Sequence, residues 1–138
     1  MSGEVSTTHP ELQFGPQGSG QEQGPFTASQ LARLDEALTL SSAETGLVFS
    51  VYVGELQAPH RAHAEALFER LTDDSVLLAV SPGQRVLHIV TGPGSSKRLP
   101  NRSCALAALA MRAAFSGGDL VGGLVTGLRM LADSAGAR

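Results

Sequence analysis

What is scarce in this chain narrows its chemistry first. Tryptophan is absent and aromatics make up 4% of the sequence, so a core has to be built from Leu, Val and Ala. Cysteine occurs once, at Cys104, which excludes an intramolecular disulfide and a thiolate zinc cluster. Its Ala/Leu-rich surroundings suit a buried, inert thiol better than a nucleophile. No apolar run approaches the roughly 20 residues a membrane-spanning helix requires. The N-terminus has neither the basic nor the apolar stretch of a secretory signal. On those grounds a soluble, cytoplasmic protein is expected, export by a non-classical route aside. Residues 1–25 hold Glu4, Glu11 and Glu22 but no Lys or Arg. From Arg33 onward, ten acids balance ten basic residues, so the net charge of −3 belongs to the tail. A neutral body without a basic stripe argues against a nucleic-acid partner.

What is present fits one domain, since 138 residues leave room for little else. Residues 1–25 are rich in Gly, Gln, Ser and Pro. Their few apolar residues have no period, so a disordered tail is expected, with a short strand or hook at Leu12–Phe14 as the alternative. The domain is expected over 26–138. Thr27 and Gln30 stand at capping-box spacing, and Leu31, Leu34 and Leu38 follow a helical period, which predicts a helix over 28–45 ending at Gly46. The run 47–53 (LVFSVYV) between two glycines predicts a buried strand with Leu47, Phe49, Val51 and Val53 on one face. A helix over 60–71 carries the stripe His60, Ala64, Leu67 and Leu71. A strand over 76–81 completes a βαβ unit, expected to be parallel.

The turn Ser81-Pro82-Gly83-Gln84 predicts a hairpin, with a four-residue loop favoured and Leu78 facing Leu87. Strand 85–91 returns antiparallel, and both hairpin faces are apolar, so helices should cover both. Helices over 101–115 and 120–132 follow, with Asp119 as N-cap of the second. Gly122, Gly123 and Gly127 each cost that helix about 1 kcal/mol of propensity, which close approach of another backbone is expected to offset. The fold class read from this order is α/β: one three-layer domain with a small mixed sheet between about four helices.

The segments TGLVFSVYVG, VLLAVSPGQRVLHIVTG and FSGGDLVGGLVTGLRMLAD, in that order, resemble the TPM domain family. That family includes thylakoid-lumen acid phosphatases, photosystem II repair proteins and MOLO-type membrane proteins, and the likeness is closest to an actinobacterial branch of unknown function. It covers 26–133. The resemblance implies a small mixed sheet sandwiched by helices, a divalent cation as a potential cofactor, and a site where a Gly-rich turn precedes an Asp that opens a helix. Gly92, Gly94 and Asn101 match those positions. Asn101 stands where the carboxylate would be, so it can cap a helix but cannot supply the charge of a metal-dependent phosphatase.

The loop Gly92, Pro93, Gly94, Ser95, Ser96, Lys97 and Arg98 follows a strand, precedes a helix and combines backbone amides, hydroxyls and two cations. That chemistry suits a phosphate or carboxylate, though the spacing is not that of a P-loop. Glu55 follows the first strand of the βαβ unit, at the end where open α/β sheets bind ligands. His60 and His63 lie one helical turn apart and His88 lies on the hairpin, a weak metal pattern because nothing local joins the three. No nucleophile–base arrangement and no carboxylate pair can be read. The expectation is therefore a non-catalytic binding module, a monomer or weak oligomer, for an unknown protein or small anionic ligand. The alternative implied by the resemblance is a weak metal-dependent acid phosphatase.

Overall fold

The computed structural model describes residues 12–15 and 25–138. Among them the order is β1 (Leu12–Phe14), α1 (Ala28–Thr45), β2 (Val48–Val53), α2 (His60–Phe68), β3 (Ser75–Ser81), β4 (Val86–Thr91), α3 (Asn101–Ser116) and α4 (Leu120–Ala135). Short 3-10 turns occupy Pro82–Gln84 and Ser95–Lys97. The sheet runs β1-β2-β3-β4, parallel across the first three strands and antiparallel at the last. This is the mixed α/β sheet expected from the βαβ-plus-hairpin pattern.

Alternation along the strands builds the three layers. Phe49, Val51 and Val53 of β2 and Val76, Leu78 and Val80 of β3 face α1, α3 and α4, where Leu34, Leu38, Met111, Leu124 and Leu128 complete the main core. Tyr52, Leu77, Ala79 and Val90 face the other way, onto Ala64, Leu67 and Phe68 of α2. The hairpin is thus covered on both faces. Helix α1 begins at the expected capping box: Thr27 Oγ1 accepts the Gln30 amide at 3.1 Å, and Gln30 Oε1 accepts the Thr27 amide at 2.9 Å. Its end is stitched to β2 by Ser42, whose hydroxyl accepts the Phe49 amide at 3.1 Å.

Four expectations change. Leu12–Phe14 is a strand, paired parallel with β2, so the sheet takes in residues before the expected boundary at Phe26. Leu12 is fully buried, and the Phe14 ring sits 6.1 Å from that of Phe26. The rest of the expected disordered tail, 1–11 and 16–24, lies outside the described residues. This strand end needs glycine: a Cβ on Gly54 would stand 2.6 Å from the Gly15 backbone. Helix α2 stops at Phe68 rather than 71, because Arg70 and Leu71 donate to Leu67 and Phe68 three residues back, which tightens the chain out of the α-helix.

The hairpin loop has four residues, but its register is two residues from that expected. Leu78 pairs with Ile89 and Val80 with Leu87, because Ser81 stays in β3 and the 3-10 turn with left-handed Arg85 (φ 58°) places the loop at 82–85, one residue later than expected. A shift of two keeps every side chain on its face. In α4, Asp119 caps as expected, accepting the Gly122 amide at 2.9 Å. The approach to its glycines is by side chains and not by another backbone. A Cβ on Gly123 would stand 2.6 Å from the Phe115 ring, one on Gly127 would meet Met111, and one on Gly122 would meet the capping carboxylate itself.

Candidate functional site

The loop after β4 is built from the inside. Gly92 donates its amide to Ser95 Oγ at 2.8 Å, and that hydroxyl donates to Ser75 O at 2.7 Å. The amides of Gly94 and Ser95 both donate to Asp73 O at 3.0 Å. Those of Ser96, Lys97, Arg98 and Leu99 donate to Gly92, Gly94, Ser95 and Ser95. Every amide that an anion cradle would use is therefore already committed, and Ser95 is fully buried. Gly92 is required here, since a Cβ would stand 2.6 Å from the Asp73 carbonyl.

Arg98 is equally committed. Its Nη1 donates to Thr45 O at 2.6 Å, and its Nη2 donates to Ala135, Gly136 and Ala137 carbonyls at 3.1, 2.8 and 3.2 Å. One guanidinium thus ties the C-terminal ends of α1 and α4 together. Ser96 and Lys97 remain exposed. Asn101 is exposed in the first turn of α3 and does not cap it: the N-cap is Pro100, with no side-chain bond.

Glu55 lies at the other end of the sheet. The loop 92–98 follows Thr91, paired with Val76 at the start of β3, whereas Glu55 follows Val53, paired with Val80 near its end. That end is filled by Gln84, which accepts the Leu56 amide at 2.8 Å and donates to Leu56 O at 3.0 Å. Glu55 itself is exposed, and its carbonyl accepts the Tyr52 hydroxyl at 2.8 Å. Burial, and secondarily the Glu55 charge, pushes the Tyr52 phenol above its ordinary pKa. The candidate residues therefore form no single cluster.

Of the histidines, His63 accepts the Gln57 amide through Nδ1 at 2.8 Å and packs its ring on Tyr52. Burial first, and then nearby Arg61, hold the His88 pKa below its ordinary value. Among the described residues, no three His, Cys, Asp or Glu side chains gather where a metal could sit. Cys104 is half-buried against the core, and burial pushes its thiol above the ordinary pKa, with Arg61 acting in the opposite direction.

A hollow of about 450 Å³ lies elsewhere among the described residues, between the hairpin turn and the α3–α4 corner. Val80, Leu87, Phe115 and Leu120 give it apolar walls, and Arg85 and Arg112 are the charged residues that line it. Its size lies within the range of small-ligand sites, whereas two other hollows of about 30 and 50 Å³ accommodate little more than water. Arg112 donates to Leu87 O at 3.3 Å, a long bond that a better acceptor can displace. Sequence reasoning missed both arginines. The only local signal was Arg85 directly after the SPGQ turn.

No helix among the described residues is long and apolar enough to cross a membrane. The chain is similar to two uncharacterised proteins of Mycobacterium tuberculosis, MT2543 of strain CDC 1551 and Rv2468c of strain H37Rv. Each is 36% identical over 109 residues, which is 78% of this chain and 65% of the relative's length. Three solution structures share the fold. The N-terminal domain of a P. gingivalis protein matches with a TM-score of 0.75 at 16% identity, covering 94% of this chain and 84% of that one. The BA42 protein of Bizionia argentinensis matches at 0.71 and 18%, covering 83% and 84%. The N-terminal domain of the cg2496 protein of Corynebacterium glutamicum matches at 0.68 and 14%, covering 98% and 86%. The family profile that matches, over residues 1–132, is described as a domain of unknown function (DUF5130).

Proposed function

The chain belongs to the DUF5130 family, a domain of unknown function, and we propose that it is a TPM-like, non-catalytic binding module. Its site is the groove between the hairpin turn and the α3–α4 corner, and its ligand carries an acidic group on an apolar body. The observation behind this reading is the pairing of apolar walls with Arg85 and Arg112 in one hollow of about 450 Å³. Apolar walls supply affinity, and a few placed polar groups fix orientation. A guanidinium presents a planar fork to a carboxylate or phosphate. Binding here succeeds without the loop 92–98, whose amides and Arg98 are engaged within the protein. Lys97 and Ser96 are what that loop can still offer an anion. The phosphatase alternative gains no support from the carboxylates, since Asp73, Asp74, Asp119 and Glu55 are not gathered in one place.

Calorimetric titration with 4-phenylbutyrate, a carboxylate on an aromatic body, tests this reading. Arg112→Gln is expected to weaken binding about fivefold, the equivalent of about 1 kcal/mol for one hydrogen bond from a solvent-exposed guanidinium, and Lys97→Gln to leave it unchanged. A loss confined to Lys97→Gln would move the site back to the loop and overturn the reading.

A further inference from the structure

Strand β4 is one of the two edge strands of the sheet, and its outer edge is covered by side chains from two helices. Val80 O accepts the amide of Gly54, so the backbone of Val80 is directed toward β2. Its neighbours Ala79 and Ser81 are then directed toward β4, where they pair with His88 and Val86. Leu87 and Ile89 are left facing outward. Their carbonyls are each covered by an arginine from a different layer: Leu87 O by Arg112 of α3 at 3.3 Å, and Ile89 O by Arg61 of α2 at 3.0 Å. Their amides point the same way as their carbonyls, since a residue's N–H and C=O share one side in an antiparallel ladder. The charges felt at His88, on the same strand, come mainly from Arg61 and Arg112, with a single acid, Glu65, opposing. Arg61 pairs with that acid at 3.0 Å, and both partners are about half exposed. A chain whose body is neutral overall therefore concentrates positive charge along one strand edge, continuous with the groove at Arg85.

We propose that this edge receives an extended acidic peptide as a fifth strand, an inference that rests on the groove being the binding site. The peptide's carboxylates accept Arg61 and Arg112, which uncovers the Leu87 and Ile89 carbonyls for the peptide's amides. The outward amides of Leu87 and Ile89 donate in return, and an apolar peptide side chain enters the groove beside Leu87. Main-chain bonds supply affinity in such strand addition, and the pockets for alternate side chains supply specificity. The same charge argues against a second copy of this chain as the occupant. Edge-to-edge pairing would set Arg61 and Arg112 against their own kind, a recognised means of preventing self-association.

The test is amide hydrogen exchange on the whole chain, with an octapeptide alternating Glu and Val, the same peptide N-methylated at alternate amides, and a Lys-for-Glu version. Exchange at Leu87 and Ile89 is expected to slow by at least about tenfold with the first peptide only. Arg61→Gln and Arg112→Gln are each expected to weaken its binding by about fivefold or more. Shifts in the groove with no added protection at Leu87 and Ile89, or equal binding of the N-methylated peptide, would overturn strand addition while leaving the groove reading intact. Silence toward all peptides alongside binding of 4-phenylbutyrate would do the same. Silence toward both would remove the groove reading as well. An oligonucleotide that shifts this edge while the Glu/Val peptide does not would also overturn the proposal.

Discussion

Replacing Arg98 with methionine keeps most of the aliphatic stem and removes the guanidinium that binds Thr45, Ala135, Gly136 and Ala137 carbonyls. A hydrogen bond from a charged donor contributes about 1.5–3 kcal/mol when its partner is shielded from water. The four bonds are not additive, because one nitrogen serves three of them at 2.8–3.2 Å. The 2.6 Å bond to Thr45, a residue 1% exposed, leaves the costliest orphan. The positive charge also faces two helix C-termini, each worth about 0.3–1 kcal/mol. We expect a loss of about 2–4 kcal/mol, a large fraction of the 5–15 kcal/mol typical of a domain. The midpoint should fall by roughly 10 °C in thermal unfolding. Arg98→Lys should recover less than half, since an ammonium cannot span both helix ends. Urea and thermal unfolding followed by circular dichroism would measure both. A loss below about 0.5 kcal/mol, or full rescue by lysine, would refute the assignment and return Arg98 to the pool of available cations.

Three further outcomes follow from particular contacts. Gly123→Ala should destabilise by about 1–2 kcal/mol in urea, because overpacking against the Phe115 ring outweighs the roughly 1 kcal/mol gain in helix propensity; a more stable variant would contradict the close α3–α4 packing. Burial first, then Arg61, His60 and Arg112, holds the His88 pKa below its ordinary value, with Glu65 opposing. The unfolded chain therefore takes up that proton more readily, so stability contributed by neutral His88 is present above about pH 6.5 and is lost as the pH falls toward the folded-state pKa. His88→Gln should shrink the drop in melting temperature between pH 7.5 and 5.5 relative to the parent, and an equal drop in both would contradict the shift. The Cys104 thiol, pushed up by burial, should react with iodoacetamide at neutral pH more slowly than free cysteine; an equal rate would place it in an open, cationic setting.

Local signals in the sequence were sufficient for α1, whose capping box and terminal Gly46 both sit where the spacing put them. They also located α4 through Asp119 and gave the facing of β2 through its alternation. They failed where the deciding partner is remote. Three residues, Leu-Gln-Phe, carry no period, so only pairing with Val51–Val53 makes them a strand. A loop of Gly, Ser and cations has the same composition whether its amides are open or folded inward. Here the Asp73 and Ser75 carbonyls at the entry to β3 decide the matter. Arg61, Arg85 and Arg112 are spread over 52 positions of a body that is neutral overall. They meet at β4 only because α2 and α3 pack on opposite faces of the outer strand. Glu55 looked like a ligand position from its place after a parallel strand, but the side chain of Gln84 closes that end.

The most direct test of the central claim is one pair of two-dimensional amide NMR spectra, with and without the Glu/Val peptide, compared at two places. Shifts are expected at Arg85, Leu87, Ile89 and Arg112, with Gly94, Ser96 and Lys97 unmoved. Shifts confined to 92–98, with the β4 edge silent, would contradict it.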